Sequence, residues 1–445
     1  MENICAIATP YGVGAISVIR ASGTDSITLV NKIFKGKDLT KVKTHTASYG
    51  YIMDENEVVD EVLCFVYKAP KSFDGENMVE ISCHGGVFVT NQVLKTLLKN
   101  GFRMALPGEF SKRAFLNKKM DLTQAEAVMD IISSTNKIAL KSSFASLRSQ
   151  TRELIQGFRN ELLDIIAKIE VNIDYPEYED AIEVTHEYLL PLVDDLILKM
   201  RKILKNSEIS TVAIHGIKTA IIGKPNVGKS SLLNMLLDEE KAIVSSYAGT
   251  TRDMIEGTLN IGNVTLHLID TAGIHESEDY VESIGIERSK KAMEEANLVL
   301  LVVDASKELD SVDLELLEMT KNKNRIIIGN KTDLDTKVNL DNMIYISALK
   351  KEGMELLSNK IEEVTKIDSL FDMNGYYLNN TRQTNLMEES LNALLQAKKS
   401  MDNLLDISLI EIDIKEAFDK LGEITGDSNP DELINALFSK FCLGK

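Results

Sequence analysis

Apolar residues along the chain follow three rhythms. Up to about residue 118 they form short runs broken by Gly and Pro. Ala15–Ala21, Glu61–Tyr67 and Val79–Cys83 therefore read as strands, and Asn91–Leu98 as a helix, of a compact α+β domain. From Lys119 the period lengthens. Thr123 followed by Glu126 has the spacing of a capping box that opens a helix. Leu154, Phe158, Leu162, Ile165, Ile166, Ile169 and Ile173 recur every three or four residues, one apolar stripe on a long helix that Pro176 should end. A second amphipathic helix is expected to about Lys205, with Pro191 tolerable only in its first turn.

Near Gly216 the texture shifts again. Thr219–Ile222, Thr265–Ile269, Leu298–Val303, Arg325–Ile328 and Ile344–Ile346 alternate with helical segments to about Lys366, the pattern of a parallel, doubly wound sheet. Ile255–Ile261 and Val264–Ile269, joined by Gly262-Asn263, predict a hairpin and one antiparallel edge. The remainder returns to helix, with Leu386, Leu391, Leu394 and Leu395, then Ile412, Ala417, Phe418 and Leu421, as its apolar positions. The expectation is a multidomain chain: an α+β N-terminal domain over 1–118, an α-helical domain split between 119–213 and 368–445, and an α/β domain inserted at 214–367.

The 445 residues are 44% hydrophobic and 27% charged, a globular balance, and no run approaches the roughly 18 apolar residues of a membrane span. The first residues lack the basic segment of a secretory signal, and Cys5, Cys64, Cys83 and Cys442 lack disulfide or metal-ligand spacing, so a reduced, cytoplasmic protein is expected. The formal net charge of −18 argues against nucleic-acid binding through a general positive field, but leaves room for a local basic patch.

Chemistry concentrates in the inserted domain. Gly223-Lys224-Pro225-Asn226-Val227-Gly228-Lys229-Ser230 follows a strand and precedes a helix, the context of a phosphate loop. Its amides would face phosphate oxygens, with Ser231 in the helix start, Lys229 on the outer phosphates and Ser230 on magnesium. Asp270-Thr271-Ala272-Gly273 ends the next strand, where a carboxylate can reach the magnesium shell and the Gly273 amide the terminal phosphate. In Asn330-Lys331-Thr332-Asp333, the Asp333 carboxylate can accept two hydrogen bonds that guanine offers and adenine does not; Ser347-Ala348 would add backbone contacts. These motifs make the domain a P-loop GTPase. Between them, Ser245-Ser246-Tyr247-Ala248-Gly249-Thr250-Thr251 forms a polar loop in which Thr251 is the candidate to complete the magnesium shell. Position 274 is Ile rather than a water-orienting glutamine, so another group must serve. Glu276, Glu278, Asp279 and Glu282 are all available to chemistry alone.

With those residues in place, the whole chain resembles the tRNA-modification GTPases of the MnmE (TrmE) family. The stretches that carry the resemblance outside the nucleotide motifs are Ala8-Thr9-Pro10, Ile19-Arg20, Glu80 with His84-Gly85-Gly86, the run from Pro107 to Asn117, Asp121–Ala127, and the terminal Phe441-Cys442-Leu443-Gly444-Lys445. The resemblance implies a folate-binding N-terminal domain that forms a homodimer. It also implies joint work with an FAD-dependent MnmG-type protein, in a heterotetramer or larger assembly, to install an aminomethyl-type group at carbon 5 of the wobble uridine of tRNA. A tetrahydrofolate derivative, in its 5-formyl or methylene form, would be the one-carbon cofactor. By the same resemblance Arg20, Glu80, Lys119 and Lys445 match folate-contacting positions, Asn226 matches a potassium ligand with Ser245, Tyr247 and Thr250 lining the ion, and Glu282 matches the catalytic switch glutamate. Potassium beside the phosphates would supply the positive charge that an arginine finger supplies elsewhere. Cys442 is the candidate nucleophile of the tail, while His84, before two glycines, reads as structural or substrate-positioning. A GTPase switch that only binds RNA is the competing class; the first 118 residues and the terminal signature speak for the modification reading.

Overall fold

The computed structural model describes residues 2–174, 185–239, 257–262, 264–269, 293–365, 377–428, 431–442 and 444. Tertiary contacts divide the chain into two compact units, Met1–Met129 with Gly422–Lys445, and Asp130–Leu421.

The first unit is built on a seven-stranded sheet: β1 (Ile4–Ile7), β2 (Ile16–Ser22), β3 (Phe34–Gly36), β4 (Thr46–Asp54), β5 (Glu57–Tyr67), β6 (Met78–His84) and β7 (Arg103–Met104), in the order β3-β4-β5-β6-β2-β1-β7. All pairings are antiparallel except β1 with β7. Alternation decides the faces. Cys5, Ile19, Ala21, Ile52, Val62, Cys64, Val66, Val79, Ile81 and Cys83 point to one side, where they pack with α1 (Ser26–Ile33) and α2 (Val87–Lys99) into a single core. The intervening positions of β2 and β6, Arg20 and Glu80 among them, lie on the opposite face in direct cross-strand register.

Helices α3 (Glu109–Leu116) and α4 (Leu122–Ser133) follow. The predicted capping box is displaced by two residues. Asp121 Oδ1 accepts from the Gln124 amide at 2.9 Å, and Gln124 Oε1 accepts from the Asp121 amide at 3.0 Å, while Thr123 is buried and donates its hydroxyl to Asp121.

In the second unit α5 (Lys137–Leu147), α6 (Gln150–Asp174) and α7 (His186–His215) form the helical part before the inserted sheet. On α6 the buried stripe runs through Ile155, Phe158, Leu162, Ile165, Ile166 and Ile169, whereas Ile173 is exposed. Pro176 lies outside the described residues. Pro191 sits inside α7, beyond the first turn, and the helix continues ten residues past Lys205 to His215. Over that extension Ser207 and Thr211 hydroxyls donate to the carbonyls four residues back at 2.8 Å, and Gly216 (φ 74°) ends the helix.

The inserted sheet contains β8 (Ile217–Ile222), β9 (Gly257–Ile261), β10 (Val264–Leu268), β11 (Leu298–Asp304), β12 (Arg325–Asn330) and β13 (Met343–Tyr345), in the order β13-β12-β11-β8-β10-β9. Only the β9–β10 hairpin is antiparallel. β11 is buried along its length to Val303, as a central parallel strand requires. Helices α8 (Lys229–Glu239) and α9 (Ser311–Met319) lie between strands in the chain, and α10 (Met354–Thr365) follows β13. Beyond it, α11 (Thr381–Asp402) and α12 (Ile407–Thr425) complete the helical part, and α13 (Asp431–Phe438) belongs to the first unit's cluster with Leu122, Ala125 and Phe441. Ile412 is exposed; the buried stripe of α12 is Ile410, Ile414, Ala417, Leu421 and Ile424.

Candidate functional site

The carboxyl ends of β8, β11 and β12 lie side by side, and three loops leave them together. The phosphate loop leaves β8 through Gly223 (φ 154°) and enters α8 through Asn226 (φ 64°) and Gly228 (φ 98°). A Cβ at Gly223 would clash with the Val302 carbonyl, and one at Gly228 with the Asn330 amide, so both positions need glycine for approach as well as for φ. Burial lowers the pKa of Lys229; its ammonium donates to the Gly223 and Lys224 carbonyls at 2.8 and 2.7 Å. Among the described residues no carboxylate pairs with it. A desolvated cation held by neutral groups at a helix start favours an anionic ligand.

Asn330 ties the loops together. It is 2% exposed. Its Nδ2 donates to the Val227 carbonyl at 2.9 Å, and its Oδ1 accepts from the Ala348 amide at 3.0 Å. Lys331 (φ 69°) adds a second tie: its ammonium donates to the Asn226 carbonyl and pairs with Asp304 Oδ2, both at 2.7 Å. Burial would raise the Asp304 carboxyl, but Lys331 and Ser306 outweigh it and hold the group below its ordinary value. Asp333 Oδ1 accepts from the Ser347 hydroxyl at 2.7 Å, which lowers its pKa and keeps the carboxylate charged. Thus Val227, Gly228, Lys229, Asn330, Lys331, Asp333, Ser347 and Ala348 meet at one end of the sheet, with Ser230 and Ser231 in the first turn of α8. This arrangement can hold phosphates on one loop and a base that offers paired donors on another.

Two supports escaped the sequence reading. Asp304 is the last residue of an apolar strand, and a carboxylate at a strand's carboxyl end was the signal available. Lys224 pairs with Asp310 and Asp313 at 2.6 and 2.5 Å, fastening the loop to the capped start of α9. Ser245, Ser246, Tyr247, Ala248, Gly249, Thr250, Thr251, Asp270, Thr271, Ala272, Gly273 and Glu282 lie outside the described residues, as do Glu276, Glu278 and Asp279.

A second constellation occupies the opposite face of the seven-stranded sheet. Arg20 donates through Nε and Nη2 to Glu80 Oε1 at 3.0 and 2.7 Å, and Tyr67 donates to Glu80 Oε2 at 3.1 Å. The guanidinium stacks 4.9 Å from the Phe73 ring centre and 5.5 Å from that of Phe110. Burial and the Glu80 charge raise the pKa of Tyr67. The chain terminus comes to this pair: Arg20 Nη1 donates to the Gly444 carbonyl at 3.2 Å, and a Cβ at Gly444 (φ 88°) would sit 2.5 Å from the Ile7 carbonyl. Lys119 donates to the Pro70 carbonyl at 3.0 Å. Lys445 lies outside the described residues. Cys442 is exposed, and its carbonyl accepts from the Gly108 amide at 3.3 Å. The other cysteines are core residues; burial pushes the thiols of Cys5 and Cys64 up to about 12. His84 is bound to Asp60 through its ring at 2.7 Å and its amide at 2.8 Å, and the hydrogen bond to Asp60 raises its pKa.

Among the described residues, no group of three or more His, Cys, Asp or Glu side chains is placed to hold a metal, and no helix is long and apolar enough to cross a membrane.

Comparison with known proteins covers both units. Residues 3–119 match the family described as the GTP-binding protein TrmE N-terminus, and residues 122–442 match the MnmE helical domain. The tRNA modification GTPase MnmE of Acholeplasma laidlawii is 49% identical over 445 residues, spanning 100% of this chain and 99% of that one. The protein of the same name from Lactococcus lactis subsp. lactis is 48% identical over 448 aligned residues, spanning 100% and 98%.

Proposed function

The chain belongs to the MnmE family of tRNA modification GTPases, and from that premise we propose that it is a potassium-stimulated GTPase driving a tRNA-modifying complex. With an FAD-dependent MnmG-type partner it adds a carboxymethylaminomethyl or aminomethyl group at carbon 5 of the wobble uridine, using a one-carbon unit of tetrahydrofolate. The observation that carries the nucleotide part is the double tie of Asn330 and Lys331, which fixes phosphate loop and base loop as one preorganised cradle.

In this reading Lys229 meets the outer phosphates, Ser230 and Thr251 hold magnesium, and Asp333 selects guanine. Lys331 donates to the Asn226 carbonyl, where the backbone is left-handed; the Asn226 side chain would hold potassium, with Ser245, Tyr247 and Thr250 lining the ion. Glu282 orients the attacking water, the role position 274 cannot fill. Potassium supplies charge stabilisation at the phosphates when bound. Segments 1–118, 119–213 with 368–445, and 214–367 act as the folate-binding dimerisation domain, the helical domain and the G domain of a cytoplasmic homodimer.

The Arg20–Glu80 pair is suited to a folate: a guanidinium packed against the Phe73 and Phe110 rings and a carboxylate beside it offer a planar heterocycle donors and an acceptor. The Arg20–Gly444 bond brings the tail beside that pair, supporting roles for Lys445 in binding and Cys442 in chemistry.

Nucleoside analysis of tRNA from a strain lacking the gene tests the reading. Loss of the carbon-5 substituent on wobble uridine, restored by the wild-type gene and not by Gly228→Ala, is expected. Unchanged wobble uridine would contradict it.

A further inference from the structure

We propose that the outward face of α5 is a docking surface for the phosphate backbone of tRNA, with Phe144 as its stacking residue; the identity of the partner rests on the function proposed above. In a chain of net charge −18, residues 131–152 contain no Asp or Glu but carry Lys137, Lys141, Arg148 and Arg152. Folding sorts these positions. Ile138, Ala139, Ser142, Ser143 and Ser146 turn inward, while Lys137, Leu140, Lys141, Phe144 and Arg148 form one exposed ridge along the helix. Successive turns place the cations about 6 Å apart, or further across Phe144. Among the described residues, none of Lys137, Lys141 and Arg148 has a carboxylate partner, although surface lysines elsewhere are commonly paired.

The ridge is held rigidly. Asn136 caps the helix, its Oδ1 accepting from the Ala139 amide at 2.8 Å. Asn379 fastens the inner face, accepting from the Ser142 hydroxyl at 2.6 Å and donating to the Ser146 hydroxyl at 2.5 Å. Ile138 is built into the core beneath β8 and β10. A fixed helix whose first residue is Lys137 adds the partial positive charge of its N-terminus to the side-chain cations. Phe144, 44% exposed between Lys141 and Arg148, offers a plane for an unstacked base. Cations alone would suit any acidic surface. The interleaved aromatic favours RNA, where backbone contacts set the position and stacking adds affinity.

Binding of the full-length chain to purified tRNA, followed by fluorescence anisotropy across a series of salt concentrations, tests this. Each phosphate contact contributes roughly 0.7–0.9 to the log–log salt slope. The triple variant Lys137→Glu, Lys141→Glu, Arg148→Glu should bind more than ten-fold more weakly, with a slope flatter by about 2. Phe144→Ala should weaken binding about five-fold or more and leave the slope unchanged. GTP turnover of both should match the wild type; if the triple variant does not fold, Lys141→Gln and Arg148→Gln singly should each flatten the slope by about 1. Unchanged affinity and slope in a folded variant would overturn the proposal, as would a wild-type chain that does not bind tRNA. So would loss of FAD-dependent partner binding with tRNA affinity intact, which would make the ridge a protein interface. Wobble-uridine analysis of the deletion strain separates these outcomes from failure of the function itself: lost modification with unchanged tRNA affinity removes only the docking surface.

Discussion

Asn330 is the residue on which the nucleotide site depends most, because it is polar, nearly inaccessible and bonded to two loops at once. Truncating it leaves the Ala348 amide and the Val227 carbonyl without their partner. Buried groups left unpaired cost about 1–3 kcal/mol. Asn330→Ala should therefore lower unfolding free energy by about that amount, read by urea denaturation. It should also weaken guanine-nucleotide binding at least ten-fold by fluorescent-nucleotide titration; unchanged affinity would mean the loops hold their geometry without it. Asn330 and Asp333 were legible in the sequence as a candidate base-binding motif closing an apolar strand. The strut was not legible, since its bond to Val227 spans 103 residues and exists only because β8 and β12 flank β11. Asp304 was hidden for the same reason: its partner Lys331 arrives from the neighbouring strand.

Among elements, those with strong local signals were readable and those fixed by tertiary contact were not. The apolar runs of β8, β11 and β12 predicted strands within one or two residues, and the Gly262 turn predicted the hairpin. Short β3 and β7 owe their existence to pairing with β4 and β1, so no local pattern announces them. The cap of α4 was misplaced because Thr123 and Glu126 have the same spacing as the true pair, Asp121 and Gln124.

Docking of α13 on α3 is likewise invisible in sequence, yet it makes a specific demand. Gly108 caps α3 with φ 67°, and a Cβ there would clash with the Phe438 carbonyl. Gly108→Ala should destabilise the first unit by more than about 1 kcal/mol, seen as a lower thermal midpoint; a midpoint at the wild-type value would contradict the close approach. At the start of α3, burial alone would raise the Glu109 carboxyl, but Arg103, the Leu106 amide and Arg113 outweigh it and hold it at about 2. A folded pKa below the unfolded value of 4.5 means that the ionised group's stabilisation is complete above that value and is lost as pH falls toward about 2. The stability gap between wild type and Glu109→Gln should then be widest near neutral pH and narrow steadily below about pH 4.5. A gap that stays constant into acid would show that Glu109 is not held ionised.

At the scale of the whole molecule, a strongly acidic chain combines a GTP cradle, an arginine–glutamate face and a basic helix ridge. Chain topology explains why these coexist: the nucleotide domain is inserted within helical segments, and the terminal residues return to the first unit to place Gly444 on Arg20. Family membership and the nucleotide motifs were legible from sequence because they rest on local residue order.

The proposed mechanism is hydrolysis of GTP in a cradle completed by potassium. It is tested most directly by measuring GTP turnover of the purified chain in potassium and in sodium at equal ionic strength, over a range of protein concentrations. Turnover several-fold faster in potassium, rising with protein concentration and lost in Asn226→Ala, is the predicted result. Equal, slow turnover in the two salts would contradict the potassium mechanism and the role given to Asn226.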